Sequence, residues 1–325
     1  MNKVWRFMQT YPMPEAELDI LREVGELVQV FDDDPAVLAK AVIDVDAIIA
    51  GTEPITREVI ESGNKLKVIG RFGAGVDSVD VKAATAAGIP ILNTPSVNAQ
   101  TVAEHTVALI LAVTRLVAWA DKSVRVKQFE ERSRLIGSEL DGKVLGIVGL
   151  GDIGSRVAVS MVKGFNVKLL VHTRNPDARR LVDLGLEGEF VSMDELVANS
   201  DIVSLQVPLN DSTIGLMSRD RIFDMKAGSY LVNTTRGAVV DEIALVEALK
   251  SGHLRGAGID VYAMEPPKKD HPFFDIPSIV VTPHIASNSD ESFSRMGQLI
   301  NCSVISYLNG EFPPNCVNPE VYPSD

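Results

Sequence analysis

The sequence reads as an α/β chain made of two doubly wound parallel-sheet units, and three observations carry that reading. Short β-branched runs alternate with amphipathic segments, the pattern of parallel strands joined by crossover helices. The alternation is interrupted once, by a long helix-like stretch from Ala99 to Glu131, and then resumes as a second series. The chain has 325 residues, the length of two domains at roughly 150 residues each.

Taken in order, the first series is KVWRFM, PEAELDILREVG, VQVF, PAVLAKAVI, DAIIA, TREVIES, KVIGR, DVKAATAAG and IPIL. Asp32-Asp33-Asp34 stand directly before Pro35, where three acids read as a helix N-terminal cap and a solvated turn and not as a metal site. The long stretch from Ala99 to Glu131 is expected to be one helix, with a break near Gly137 to Gly142. The second series is VLGIVGL (144–150), a helix from Ile153, VKLLV (167–171), MDELVANS, DIVSLQV (201–207), SYLVNT (229–234), DEIALVEALKSG, GAGIDV (256–261) and IVVT (279–282). A last helix is expected over Asp290 to Leu308, ending at Asn309-Gly310, and FPPNCVNPEVYPSD after it carries no pattern. If that helix packs back on the first unit, residues 1–98 and 290–325 form a discontinuous outer domain around 99–289.

Composition removes several classes. Apolar residues make up 46%, charged residues 23% and aromatics 6%, which supplies sizeable cores and excludes a largely disordered chain. Lys and Arg number 31 against 44 Asp and Glu, a net charge of −13 that repels nucleic acid and anionic membrane surfaces as a whole. A small anion remains possible, because a few focused donors override a distant field in a closed cleft. The only cysteines, Cys302 and Cys316, have no CxxC or His pairing, so neither a zinc site nor a disulfide scaffold is expected. The N-terminus lacks a signal-peptide core, and Val102 to Ala120, the longest apolar stretch, contains Glu104, His105 and Arg115. A cytoplasmic protein with no membrane segment and no metal is expected.

Gly149-Leu150-Gly151-Asp152-Ile153-Gly154 follows the apolar run VLGIV and opens a helical segment with Ile153, Val157 and Met161 on one face. That is the strand, loop and helix context of a Rossmann-like dinucleotide site. Its glycines permit the tight turn, close approach of the pyrophosphate and close helix packing. An NAD-preferring site would present Asp or Glu to the ribose about 20 residues on. Here the segment after VKLLV reads His172-Thr173-Arg174-Asn175. Without a carboxylate, and with Arg174 able to hold a 2′-phosphate, NADP(H) is favoured. The alternative is Arg174 stacking on the adenine of NAD(H).

Three polar features follow three expected strands: Thr234-Thr235-Arg236-Gly237, Asp260 to Glu265, and Thr282-Pro283-His284-Ile285-Ala286. Carboxyl ends of strands border the ligand crevice of a doubly wound sheet, so Arg236, Glu265 and His284 can converge. Arg offers a planar fork for a carboxylate or carbonyl oxygen. His passes a proton near neutral pH, and a carboxylate on its other nitrogen orients it. His105, inside an apolar helix, reads as structural, and Glu104 as a cap or a pairing group.

GRFGAGVDSVD, NTPSVNAQTVAEHTVALIL, GIVGLGDIGSRVA, NTTRGAVVDE, GIDVYAMEPP and TPHIAS, in this order over about residues 70–290, together resemble the D-isomer-specific 2-hydroxyacid dehydrogenase family. GTEPIT at 51–56 is similar to its phosphoglycerate dehydrogenase-like branch, although the chain leaves no room for that branch's C-terminal regulatory domain. HTRN looks more like the NADPH-using glyoxylate and hydroxypyruvate reductases. The resemblance implies a cleft between a flavodoxin-like substrate domain and a Rossmann domain, closed by a hinge. It makes His284 the general acid/base, Glu265 its partner and Arg236 the substrate clamp, with the N–H groups of Ala74 and Gly75 on the carboxylate of a small 2-oxo or 2-hydroxy acid. It sets Asp260 on the nicotinamide side and Val207-Pro208 on the adenosine or ribose side, with Thr234, Thr235 and Ala286 also lining the cofactor. Glu53-Pro54-Ile55 and Arg71-Phe72 are expected around the substrate side chain. Residues 99–140 resemble the family's dimerisation arm, which implies a homodimer. The family also contains corepressors that sense dinucleotides; retention of Arg236, Glu265 and His284 favours the enzyme.

Overall fold

The structure is a computed structural model and describes residues 4–323. The chain divides into two compact units, one running up to Asn98 and resuming at Asn288, the other spanning Ala99–Ser287.

The first unit opens with β1 (Trp5–Gln9), α1 (Glu15–Arg22), β2 (Gly25–Gln29), α2 (Pro35–Ala41), β3 (Ala47–Ala50), α3 (Arg57–Ser62), β4 (Val68–Arg71), α4 (Val81–Ala86) and β5 (Ile91–Leu92). Its sheet runs β2-β1-β3-β4-β5, every pair parallel. AIIA and VIGR are buried throughout, and apart from Arg71 both are the apolar runs expected of parallel strands covered on both faces. On one face lie α2, α3 and α4, with Leu38, Val59 and Ala83 in the core. On the other, the long final helix Asp290–Leu308 sets Met296, Ile300 and Val304 against Trp5, Phe7, Leu18 and Val68. Asn301 fastens that helix to α1 by donating to the Glu17 carbonyl at 2.8 Å. Polar starts define the short helices: Asp34 accepts from Ala36 N–H, Thr56 from Val59 N–H and Asp80 from Ala83 N–H.

The second unit runs through α5 (Ala99–Thr114), α6 (Val117–Arg125), β6 (Val144–Val148), α7 (Asp152–Phe165), β7 (Lys168–His172), α8 (Ala178–Leu184), β8 (Glu189–Phe190), α9 (Met193–Asn199), β9 (Ile202–Leu205), α10 (Arg219–Asp224), β10 (Tyr230–Asn233), α11 (Glu242–Lys250), β11 (Gly256–Ile259) and β12 (Ile279–Val281). The final helix is thus α12. This sheet runs β12-β11-β10-β9-β6-β7-β8, again parallel throughout. The chain begins at β6, winds outward to β8, then crosses back to β9 and continues to β12. The reversal falls between β6 and β9, which is where a doubly wound sheet opens a ligand crevice at its carboxyl edge.

The segment 99–131 is not the single helix the sequence suggests. It ends at Thr114, bends by 64° between α5 and α6, and resumes after Leu116, whose φ of 58° is left-handed. The cause lies far along the chain. Ser138 N–H donates to the Thr114 carbonyl at 2.8 Å, taking an acceptor that a continuing helix would need. Before the break α5 is a core helix, with Leu109, Ile110 and Val113 packed among Leu145, Tyr230 and Val280. Among the described residues no single helix is long and apolar enough to cross a membrane; α5 and α6 satisfy length and composition only as a bent pair.

Candidate active site

The glycine loop leaves β6 with Gly149 at φ +100°, where a Cβ would overlap the Gln206 carbonyl oxygen. A Cβ on Gly154 would overlap the Gly149 carbonyl oxygen. Gly151 is different: nothing lies within 4 Å of where its Cβ would stand. The outer two glycines are therefore required by the protein's own packing. The middle one faces open space at the start of α7, whose first turn carries Asp152 and Ile153 and whose N-terminal end favours an anion. This cradle fits a pyrophosphate. Val207 borders Gly149, and the Pro208 carbonyl accepts from Thr213 Oγ1 at 2.6 Å, which fixes the turn after β9. At the end of β7, Thr173 is half-buried and Arg174 exposed. The next carboxylate, Asp177, is engaged elsewhere, capping α8 and pairing with Arg179 at 3.1 Å.

The catalytic candidates stand on the same edge of this sheet. After β10, the buried Asn233 amide folds the turn: its Oδ1 accepts from Thr235 N–H at 3.0 Å and Oγ1 at 2.7 Å, and its Nδ2 donates to the Arg236 carbonyl at 2.9 Å. Thr106 Oγ1 donates to the Val102 carbonyl, so the 2.8 Å contact between Thr106 and Thr234 has Thr234 as donor. Arg236 is half-buried, and its Nη1 donates to the Thr235 carbonyl at 2.7 Å. At Gly237 a Cβ would overlap the backbone of Tyr262 and Ala263, so this turn lies backbone against backbone on the loop that carries Glu265. Glu265 Oε1 accepts from Tyr262 N–H at 3.0 Å, and its Oε2 lies 2.6 Å from His284 Nδ1. The carboxylate places the proton on Nδ1, and Nε2, with no hydrogen bond among the described residues, is left for exchange.

His284 has φ +54°, an unusual conformation for a non-glycine residue, and Asp260 holds it there. The Asp260 carbonyl accepts from His284 N–H at 2.8 Å. Its Oδ1 accepts from Thr282 Oγ1 at 2.5 Å and Ile285 N–H at 3.0 Å, and its Oδ2 from Ala286 N–H at 2.9 Å. Asp260, which the family resemblance sets on the nicotinamide side, is fully buried, and both its carboxylate oxygens accept from its own chain. Burial alone would raise this carboxyl, but the His105 imidazole 3.5 Å away and the hydrogen bonds from Thr282, Ile285 and Ala286 outweigh it and hold the group below its ordinary range.

Two further supports escape a linear reading. His105 Nε2 lies 3.1 Å from Thr282 Oγ1, whose proton is already given to Asp260, so His105 donates to Thr282 from beneath the loop. Its position as an imidazole in an otherwise apolar helical run is a signal that such a partner is needed. Glu242, at the start of α11, accepts from Ala263 N–H at 2.8 Å and lies 3.3 Å from His271 Nε2, pinning the Glu265 loop. Tyr262 donates to the Thr282 carbonyl at 3.1 Å. Burial first, and then the charges of Asp260, Glu265 and Glu242, push its phenol up to about 12. Glu104 accepts from Gln100 Nε2 at 2.7 Å. Among the described residues no group of His, Cys, Asp or Glu is arranged to hold a metal ion.

In the first unit the turn after β4 exposes Ala74 and half-buries Gly75, and neither N–H donates to a protein atom among the described residues. Asn93 Nδ2 donates to the Ala74 carbonyl at 2.7 Å. Glu53 and Arg71, expected around a substrate side chain, are each only 6% exposed. Burial raises the Glu53 carboxyl against the hydrogen bonds it accepts from Thr10 and Gly51 and the charge of Arg71. Arg71 donates to the Phe72 carbonyl, and the Phe72 ring packs 5.3 Å from Phe293 and 5.9 Å from Tyr11.

Residues 107–286 match the model of the D-isomer specific 2-hydroxyacid dehydrogenase NAD binding domain. A glyoxylate reductase of Korarchaeum cryptofilum is 38% identical, with 97% of this chain and 96% of that protein aligned. A D-3-phosphoglycerate dehydrogenase of Archaeoglobus fulgidus is 37% identical over 97% of this chain but only 59% of its own length. The crystal structure of an NADPH-dependent glyoxylate/hydroxypyruvate reductase from Sinorhizobium meliloti, in complex with NADP and malonate, superposes with a TM-score of 0.86 at 27% identity, covering 99% of each chain. The glycine loop, the His284 and Glu265 pair and these similarities lead to one assignment: the chain belongs to the D-isomer specific 2-hydroxyacid dehydrogenase family.

Proposed function

We propose that the chain is an NAD(P)-dependent oxidoreductase that interconverts a small 2-oxo acid and the corresponding D-2-hydroxy acid, with glyoxylate and hydroxypyruvate as the leading substrates and NADPH as the favoured reductant. The observation that carries the reading is the His284 Nδ1 contact with Glu265 Oε2 at 2.6 Å, with Nε2 unpartnered among the described residues on the sheet edge that also carries Arg236 and the glycine loop. A nicotinamide dinucleotide, cradled at Gly151 and the start of α7, would supply the two electrons and the hydrogen that reach C2. The protein supplies the rest. His284 Nε2 delivers a proton to the oxygen on C2, and Glu265 stabilises the imidazolium before that transfer. Arg236 presents a guanidinium fork that polarises the carbonyl and neutralises charge as it develops on that oxygen. The N–H groups of Ala74 and Gly75, which have no acceptor among the described residues, donate to the substrate carboxylate.

Thr173 and Arg174, followed in sequence by no carboxylate before Asp177, which caps α8 and pairs with Arg179, support NADPH, and the NADP-bound Sinorhizobium reductase supports it by analogy. Exposed Val117, Val124, Val126, Phe129 and Ile136 along the segment 117–136 support a homodimer. Two unpaired cysteines support a cytoplasmic setting, and the net charge of −13 argues against a nucleic-acid partner. The corepressor reading is not favoured, because a dinucleotide sensor has no use for the Arg236, Glu265 and His284 set. Turnover of glyoxylate, hydroxypyruvate, branched 2-oxo acids and phosphorylated 2-oxo acids with NADPH and with NADH tests the proposal. Absence of turnover with every acid would overturn it.

A further inference from the structure

The sequence after Gly310 has no periodic pattern, yet it is built into the first unit. Cys316 forms an antiparallel bridge with Leu92, Val317 N–H donates to the Ile91 carbonyl at 2.8 Å, and Asn93 N–H donates to the Asn315 carbonyl at 3.1 Å. Asn318 is 1% exposed; its Oδ1 accepts from Ile91 N–H at 2.7 Å, and its Nδ2 donates to Thr85 Oγ1 and the Ile89 carbonyl, each at 3.0 Å. The tail therefore closes the open edge of β5, which its own two residues could not protect.

One residue of that edge reaches further. Asn93 is held on both sides of its backbone by Asn315, whose Nδ2 donates to the Asn93 carbonyl at 2.6 Å. Its own Nδ2 in turn donates to the Ala74 carbonyl at 2.7 Å. The Ala74 carbonyl and the Gly75 N–H belong to one planar trans peptide and point in opposite directions. A donor fixed on the oxygen therefore fixes the direction of the N–H, and polarises the peptide so that the N–H donates more strongly.

We infer that Asn93 and Asn315 are positioning residues for substrate binding: the C-terminal segment, acting through Asn93, orients the Ala74–Gly75 peptide that receives the 2-oxo acid carboxylate. The inference rests on the function proposed above, and it extends the substrate site to a stretch of chain with no chemistry of its own. Among the described residues the hydrogen bonds of Asn315 go to the backbone of Asn93 and not to the Ala74–Gly75 peptide itself.

The test uses the full chain with glyoxylate. Asn93→Ala raises KM for glyoxylate about 10- to 100-fold, and Asn315→Ala about 3- to 10-fold, while the Kd for the dinucleotide stays within twofold of wild type. Because Asn315 acts through Asn93, adding Asn315→Ala to Asn93→Ala raises KM no further. Thr56→Ala, which removes the α3 cap in the same unit, serves as the control: it lowers Tm and leaves KM unchanged. In glycine-labelled protein the Gly75 amide resonance moves in both Asn variants, a readout that needs no turnover. A KM for Asn315→Ala equal to wild type, additive effects in the double variant, or an unmoved Gly75 resonance would each overturn the inference. A Gly75 resonance that moves in a protein that turns over no 2-oxo acid would refute the proposed function and, with it, the substrate-binding role, leaving only a structural brace.

Discussion

Replacing Asp260 by Asn keeps shape and volume but exchanges one acceptor for a donor at the most demanding place in the second unit. Three hydrogen bonds converge on the carboxylate, from Thr282 Oγ1, Ile285 N–H and Ala286 N–H, and the residue is fully buried. With the amide nitrogen on one side, Ala286 N–H faces a donor; with it on the other, Ile285 N–H does. Either way one charge-assisted hydrogen bond of about 1.5–3 kcal/mol is lost and an unpaired donor adds about 1–3 kcal/mol, so a destabilisation on the order of 3–5 kcal/mol is expected. The same bonds keep His284 at φ +54°, a conformation that costs about 1–3 kcal/mol when unsupported, which converts to a fall in kcat of roughly 10- to 100-fold. Urea unfolding and steady-state kinetics at pH 7 give the two numbers. A third follows from linkage. The Asp260 carboxyl is held below its ordinary range in the fold, so its ionised form contributes stability above the unfolded value near ~3.9 and loses it as pH falls through the lower folded value. The stability gap between wild type and Asn variant therefore narrows below about pH 4. An Asn variant with wild-type urea midpoint and wild-type kcat would refute the argument that Asp260 holds the loop.

Other substitutions probe the remaining parts of the site. Arg236→Lys keeps the charge and loses the planar fork, so kcat/KM falls by at least about 100-fold in steady-state assays; a near-native value would remove Arg236 from the clamp role. Gly237→Ala, whose Cβ would overlap the Tyr262 and Ala263 backbone, separates the Arg236 turn from the Glu265 loop; kcat drops sharply while dinucleotide binding by fluorescence titration persists, and unchanged kcat would count against the close packing of the two loops. Thr173→Asp with Arg174→Ala reverses cofactor preference, chiefly through KM, because Arg174 contributes roughly 1.5–3 kcal/mol toward a ribose 2′-phosphate. Measured at fixed ionic strength, a wild type that prefers NADH tenfold or more would make Arg174 an adenine platform instead.

What could be read from the sequence was what depends on neighbours in the chain. The glycine loop is legible because β6, the turn and α7 are consecutive, and its three glycines do three separate jobs within six residues. The Arg236, Glu265 and His284 set is legible because each follows a strand of one parallel sheet, which gathers carboxyl ends on one edge. The break at Leu116 was hidden, since it depends on Ser138 claiming the Thr114 carbonyl across a long stretch of irregular chain. The two-residue strand β8 is too short to show a period. His105, Glu242 and Asn315 act through residues distant in sequence (Thr282, Ala263 and Asn93), so no local pattern names their partners. Asp260 was singled out, but its three internal donors come from a loop whose left-handed turn at His284 no local pattern announces.

The central claim is that His284 Nε2, set by Glu265, exchanges the proton with the oxygen on C2 of a 2-oxo acid. Its most direct test compares wild type with His284→Ala for glyoxylate reduction by NADPH, with NADPH affinity measured on both proteins by fluorescence titration. The account expects kcat to fall by a factor on the order of 10² to 10⁴ with NADPH affinity kept within a few-fold, since the glycine loop is untouched. A variant that reduces glyoxylate at the wild-type rate would contradict it.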